Sequence, residues 1–533
     1  MPTREQDGTR DAAHIAAPPV RWTIPELLAA RRRHDAATQA VVSDDEAVTY
    51  TELDDASRAS AARLVRAGVT KGSRVGLLMP NGVDWAVTAL AVMRVGAVLV
   101  PLSTLLKPAE LLPQLRIAAV SHLILVERFK GRAYLDELDA AEPELTEHTR
   151  GGRRHAAVPS LRQTWTWRDL PADPAPTEPV DALETVVRPA DDMAVLFTSG
   201  SRGTPKGIIH THGNALRATA ATLDDRRIGA GERLYIPMPF FWTGGFSGGL
   251  LTTLLAGGTL LTEAEPEPGR TIRFLEREGA TLFRGWPDQA ARIAAHPAFA
   301  DADLSALRPA SLPAVLGDRQ PRPGARPNLF GMTETFGPYC GAPMDRDLPE
   351  DKHGSLGRPF AAVDVRVTDP DTGRAVPDGT EGEIRLRGSG VMRGICGRHR
   401  SEVFTPDGYY RTGDLAVRDA DGYLWFRGRL DDMVKVKGAT VYPVEVEAAL
   451  RGIPGVSEAH VTDIPGDTTR LIAALVVATP DVRQPDLVEA ARARLSGFKI
   501  PTRWLVTADP AEVPRLAGGK VDVAALRHLL TGP

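Results

Sequence analysis

Apolar positions recur at helical spacing from Tyr50 to Ala67, and RVGLLMP (Arg74 to Pro80) follows as a short unbroken run of the kind a buried strand shows. Strand feeding helix in alternation predicts layered α/β structure. The most apolar stretch, residues 85–106, is interrupted by Arg94, Gly96 and Pro101. It is unlike the roughly 20 uninterrupted apolar residues that cross a bilayer. Residues 143–190 are rich in Pro, Arg and charge, which predicts a surface excursion ahead of the next strand. Beyond residue 354, AVDVRVTDP, GEIRLRG and GYLWFRGR alternate with turn signals and predict a small twisted β subdomain. In the last hundred residues EVEAALRGIPGV reads as an amphipathic helix, and HVTDIP and RLIAALVVA as strands. The expected fold class is α/β: a large N-terminal domain of layered α/β subdomains plus a β-rich subdomain, and a small α+β C-terminal domain. The cut falls near Arg429 to Asp431. It leaves a polar leader over 1–19, a large domain over 20–429 and a small one over 430–533.

Composition narrows the class. The 533 residues are 43% hydrophobic and 25% charged, enough chain for two or three domains that fold without staples. A net charge of -4 gives no basic field for a nucleic-acid surface. Cys340 and Cys396 are too few for a disulfide framework or a zinc cluster, so both are expected as buried or neutral thiols in a reducing compartment. The first 20 residues carry Arg4, Glu5, Asp7, Arg10 and Asp11 without a useful apolar run. That argues against a secretory signal and for a cytoplasmic location.

The chemistry concentrates in VLFTSGSRGTPKGIIHTH, Val195 to His212, a hydroxyl- and glycine-rich loop after an apolar strand. Thr198, Ser199, Ser201 and Thr204 offer hydroxyl donors. Gly200, Gly203 and Gly207 let backbone N–H groups approach an anion closely, and Lys206 adds a positive charge. This describes a triphosphate cradle. It is not a Walker A loop, because Pro205 and Gly207 stand where that motif needs Gly and Ser/Thr.

Four further segments follow in order. NLFGMTETFG sets Thr333 and Glu334 after Phe330-Gly331, and YYRTGDL sets Asp414 after a Thr-Gly turn. GRLDDMVKVKGATVYPVEVEAAL carries Arg429, Asp431 and Gly438, and PRLAGGKVDV ends a Gly-rich loop with Lys520. Singly these are ordinary: Thr-Glu is common at helix starts, Asp414 would be a turn residue, and Lys520 solvated surface. Together and in order they resemble the AMP-forming adenylating superfamily of acyl- and aryl-CoA synthetases, peptide-synthetase adenylation domains and firefly luciferase. VTYTELDDASRASAARLVRAGV and LMPNGVDWAVTALAVMRVGAVLVPL extend the resemblance over nearly the whole chain.

The resemblance implies activation of a carboxylic acid with ATP and Mg²⁺, then acyl transfer to a thiol, with CoA as the expected acceptor. The phosphate loop and Lys206 hold the β- and γ-phosphates, Glu334 ligates the metal, and Thr333 contacts the α-phosphate. Phe330 supplies a ring face for adenine where the family usually has Tyr. Asp414 accepts from the ribose hydroxyls, Arg429 adds a charged contact, and Lys520 bridges the carboxylate and the α-phosphate. Asp431 matches the hinge of a mobile C-terminal domain. After rotation the segment Lys435 to Ala439, with Lys437 and Gly438, is delivered to the site and Lys520 leaves.

PMPFFWTGGF places Trp242 where the family commonly has His. Selection of an α-amino acid would need an acidic partner for the ammonium hereabouts, and Trp242 is not one. Phe241, Trp242, Trp286, Gly317, Phe336 and Tyr339 are the expected acyl-pocket residues, favouring an apolar or aromatic acid. Two alternatives stand beside the thioester reading. One is transfer of the acyl group to an amine or to a carrier-protein pantetheine, and the other is a noncatalytic nucleotide-binding relative. The joint presence of Lys206, Glu334, Asp414, Arg429 and Lys520 argues against the last.

Overall fold

In the computed structural model the described residues are 21–44, 46–170, 176–198, 205–322, 325–327, 329–430, 434–436, 439–441, 443–466, 470–515 and 521–532. The expected leader lies outside them. Among the described residues the central sheet runs in the order Gly394–Ile395, Lys206–Thr211, Asp192–Thr198, Val98–Pro101, Arg74–Leu78, His122–Leu125, Gln163–Thr166. Its strands from Asp192–Thr198 to Gln163–Thr166 are parallel, with buried faces, as helices on both sides require. The second layer, Leu282–Phe283, Arg233–Tyr235, Thr259–Leu261, Gln39–Val42 and Ala47–Thr49, is parallel except for its last hairpin.

The helices between these layers form for reasons visible in the chain. Helix Tyr50–Arg66 opens with a reciprocal cap: Glu52 N–H donates to Thr49 Oγ1 at 3.2 Å and Thr49 N–H donates to Glu52 at 2.8 Å. It buries Tyr50, Leu53, Ala61 and Leu64. Helix Val83–Arg94 is apolar nearly all round and sits in the core with Trp85, Leu90 and Met93. Arg94, 2% exposed at its end, pairs with Asp54 at 2.9 Å and Glu184 at 2.6 Å. No helix among the described residues is long and apolar enough to cross a membrane.

The segment 143–190, expected as a surface excursion, is more than that. Strand Gln163–Thr166 completes the edge of the central sheet, and Val158, Leu161 and Thr164 are buried. The β-rich runs form the antiparallel sheet Asp364–Thr368, Glu381–Arg387, Tyr410–Arg418 and Leu424–Arg429 around Ile384, Leu386 and Ala416. The smaller C-terminal domain packs strands Val456–Pro465, Arg470–Ala478 and Arg503–Thr507 against helices Pro443–Arg451, Gln484–Arg494 and Val523–Thr531. A short hairpin, Val434–Val436 with Ala439–Val441, precedes them.

Candidate active site

A cleft of about 940 Å³ opens where the sheets meet. One part is built on the hairpin Asp192–Thr198/Lys206–Thr211, which pairs Thr198 with Lys206. The loop it carries returns as a strand, where a P-loop would enter a helix. Thr198 and Pro205 line the cleft. Ser199, Gly200, Ser201, Gly203 and Thr204 lie outside the described residues, as do Asp431, Lys437, Gly438 and Lys520.

The Thr333–Glu334 turn follows strand Phe330–Met332, where a Cβ on Gly331 would run into the Gly337 carbonyl. His210 holds this turn from behind. Its Nε2 donates to the Thr333 carbonyl at 2.8 Å, and its Nδ1 accepts from Asn214 at 2.8 Å. Burial lowers its pKa to about 4, so the ring is neutral and the tautomer follows from its two partners. Phe336 takes a left-handed φ of 56° at the end of the turn, a strained value for a bulky residue. Its ring packs edge-on against His210 at 4.7 Å and Phe246 at 5.6 Å. Phe336, expected in the pocket wall, is therefore core that braces the turn. Nothing in the sequence marked His210, because its importance rests on a carbonyl 123 positions away.

Glu334 is 6% exposed and accepts from the Tyr410 hydroxyl at 3.0 Å. Asp414, 5% exposed, pairs with Arg429 at 3.1 Å. Burial pushes the Asp414 carboxyl up to about 6; Arg429 and Lys435 pull it back while Glu334 adds to the rise. Lys435, from the C-terminal hairpin, reaches this cluster. Although much of the residue is exposed, enclosure of its ammonium lowers its pKa, with Arg429 adding to the drop and Asp414 and Glu334 opposing. Glu334, Asp414, Arg429 and Lys435 thus form one charged group. Glu334 presents carboxylate oxygen beside the phosphate hairpin, a donor suited to a hard cation such as Mg²⁺. Phe330 is not a cleft-lining residue; its ring packs on Tyr339 at 5.6 Å and Phe426 at 5.3 Å.

The aromatic wall continues from this cluster. Trp242 stands edge-on to Phe241 at 5.2 Å, Trp286 at 5.6 Å and Phe498 at 6.1 Å, and all four line the cleft. Gly317 and Tyr339 do not line it: Gly317 lies in the turn Pro313–Arg319, and Tyr339 is 1% exposed beneath Phe330. Phe498 and Lys499 belong to the C-terminal domain. Lys499 Nζ bonds Glu110 of helix Pro108–Ile117 at 3.1 Å and Glu445 at 2.5 Å, and the Ser496 hydroxyl bonds Glu110 at 2.8 Å. Burial pulls the Lys499 pKa down, and the two carboxylates outweigh it, leaving the group above its ordinary value. Lys435 and Ala439 also line the cleft, whereas Arg515 and Val521, which flank the Lys520 loop, do not. Arg515 pairs with Glu458 at 2.6 Å. Burial raises the pKa of both thiols, Cys340 and Cys396, which keeps them neutral.

Comparison with known proteins agrees with this geometry. The AMP-binding enzyme family matches residues 28–396. The chain is 34% identical to a feruloyl-CoA synthase of Amycolatopsis sp, covering 92% of this chain and 96% of that protein. It is 32% identical to the 3-[(3aS,4S,7aS)-7a-methyl-1,5-dioxo-octahydro-1H-inden-4-yl]propanoyl:CoA ligase of Mycobacterium tuberculosis, covering 95% and 99%. Among solved structures it is similar to the amide bond synthetase McbA of Marinactinospora thermotolerans, with a TM-score of 0.77, 26% identity, and 94% and 99% of the two chains covered. The chain belongs to the AMP-binding enzyme family, within the AMP-forming adenylating superfamily.

Proposed function

We propose that the protein activates a carboxylic acid with an apolar or aromatic body, other than an α-amino acid, as its acyl adenylate, and transfers the acyl group to CoA. The observation that carries this reading is one cleft lined by Thr333, Lys435, Phe241, Trp242 and Trp286, with Glu334, Asp414 and Arg429 grouped electrostatically around that Lys435. The relatives at 34% and 32% identity, both named for CoA thioester formation, support the acceptor.

Joining a carboxylate to the α-phosphate brings two anions together, so the site must supply donors densely. Lys206 and the hydroxyl loop would hold the outgoing phosphates, with Thr333 at the α-phosphate. Glu334 would hold Mg²⁺, which when bound offsets phosphate charge. Asp414 would accept from the ribose hydroxyls while Arg429 keeps its carboxylate charged. Lys520 would bridge the two anions in the first step. The orientation described here, with Lys435 and Ala439 in the cleft, suits the second step. The small domain, hinged at Asp431, would exchange the two arrangements.

An amine acceptor is the second reading. It is favoured by the likeness to an amide bond synthetase and by Trp242, which stands where the family commonly has His. Pyrophosphate release across an acid panel, followed by mass spectrometry with CoA or a simple amine present, decides between them. Acid-dependent release with a thioester product is expected. An amide without thioester would replace the first reading with the second.

A further inference from the structure

Two arginines in the cleft wall have no counter-ion among the described residues. Arg226 is 4% exposed and Arg284 5% exposed, and both line the cleft. Arg226 donates from Nη1 to the Thr252 hydroxyl and from Nη2 to the Gly248 carbonyl, both at 2.8 Å. Gly248 lies in the π-helical turn Phe246–Leu251 and itself lines the cleft. Arg284 donates from Nη2 to the Arg226 carbonyl at 2.7 Å and from Nη1 to the Met344 thioether at 2.8 Å, a weak acceptor. The Nε atoms of both are buried without a partner among the described residues.

Each guanidinium carries five N–H groups, so donors remain on both after these bonds. No carboxylate among the described residues pairs with either one, although neighbours are supplied: Arg227 pairs with Asp345 at 2.9 Å and Arg326 with Asp347 at 2.8 Å. Burial lowers Arg226 to about 10 and Arg284 to about 9, with the charge of Arg226 adding to the drop in Arg284. Both stay cationic at neutral pH. A buried cation without a partner is costly, and two side by side repel; a bound anion relieves both. A neutral hydroxyl or ketone would use some donors and leave the charge. Two residues after Arg284 comes Trp286, so the cations adjoin the aromatic wall.

We propose that the acid this cleft takes is a dicarboxylic acid: one carboxylate is activated beside Glu334 and Lys435, and the second is bound by Arg226 and Arg284. This rests on the acid-activating reading above and names its substrate class.

The test sets benzenedicarboxylic and straight-chain dicarboxylic acids each against its own monomethyl ester, with acid-dependent pyrophosphate release and thermal-shift binding measured in parallel. The expected result is that at least one diacid exceeds its half-ester by about tenfold or more in kcat/KM, as a charge-assisted pair to guanidinium should give. The aryl and alkyl arms identify the spacer. In Arg284→Met, a substitution of similar volume, the diacid to half-ester ratio should collapse, and Arg284→Lys should restore part of it. Release that is equal or better with half-esters, or a preference for hydroxylated monoacids, would overturn the inference and leave the acid-activating reading intact. A diacid-specific thermal shift lost in Arg284→Met, with no release from any acid, would keep the anion site and overturn that reading. Neither release nor shift with any acid, diacid or half-ester, would overturn both.

Discussion

Asp414 is the residue whose chemistry most constrains the solution behaviour of the site. Burial has lifted its carboxyl to about 6, so near neutral pH a modest fall in pH removes the charge that would receive the ribose hydroxyls. AMP affinity should therefore fall progressively below pH 6, approaching tenfold per unit, and titration calorimetry in Asp414→Asn should give a weak, pH-flat profile. The sign for folding is opposite. Because the folded protein binds this proton more tightly than the unfolded chain, Asp414 favours folding fully below its ordinary 3.8 and loses that contribution as pH rises through about 6, a swing of roughly 3 kcal/mol. Glu334→Gln should raise the Mg²⁺ concentration needed for half-maximal pyrophosphate release by about tenfold or more, through loss of an anionic oxygen ligand. An unchanged Mg²⁺ requirement would remove Glu334 from the metal. Thr333, Glu334, Asp414 and Arg429 could be singled out in the sequence because each stands in a short local motif, and the structure groups Glu334, Asp414 and Arg429. His210, Arg226 and Arg284 were not, because what distinguishes them is a distant carbonyl or a missing carboxylate, and neither leaves a mark on the neighbouring letters.

Elements show the same division. Helix Tyr50–Arg66 could be read from its apolar spacing, and strand Arg74–Leu78 from its unbroken run. Strand Gln163–Thr166 could not: four residues alternating with polar neighbours in a Pro- and Arg-rich stretch look like loop, and only pairing with His122–Leu125 makes them sheet. Helix Val83–Arg94 carries a stability prediction, since its terminal Arg94 is held by two carboxylates inside the core. Arg94→Met should destabilise the protein by about 3–5 kcal/mol in denaturant unfolding, because Asp54 and Glu184 are left facing an apolar side chain. Double replacement with Asp54→Asn should recover part of the loss. At the contact between the domains, Lys499 occupies the equivalent position between Glu110 and Glu445. Removing it leaves two carboxylates facing each other only when the domains are arranged as here. Lys499→Ala should therefore slow thioester formation from supplied acyl adenylate about tenfold more than it slows pyrophosphate release.

At the scale of the whole molecule, Lys435 and Ala439 line the cleft, and Arg515 and Val521, which flank the Lys520 loop, stand outside it. If the two half-reactions use different arrangements, Lys520→Ala should lower acid-dependent pyrophosphate release by roughly 10²- to 10³-fold, the scale of a lost transition-state donor, while transfer from supplied adenylate persists. Equal loss of both steps would mean that one arrangement serves both. Phe498 adds a consequence of its own. It reaches Trp242 from the small domain, next in sequence to the lysine that pairs with Glu110, so if that domain moves between the two steps, the last side of the acid's enclosure would be put in place by the same movement that readies the acceptor step. An ill-fitting acid would be inspected a second time after ATP has been spent. Such acids should reveal themselves by stoichiometry, with AMP accumulating in excess of thioester, and Phe498→Ala should bring the two products back toward equality.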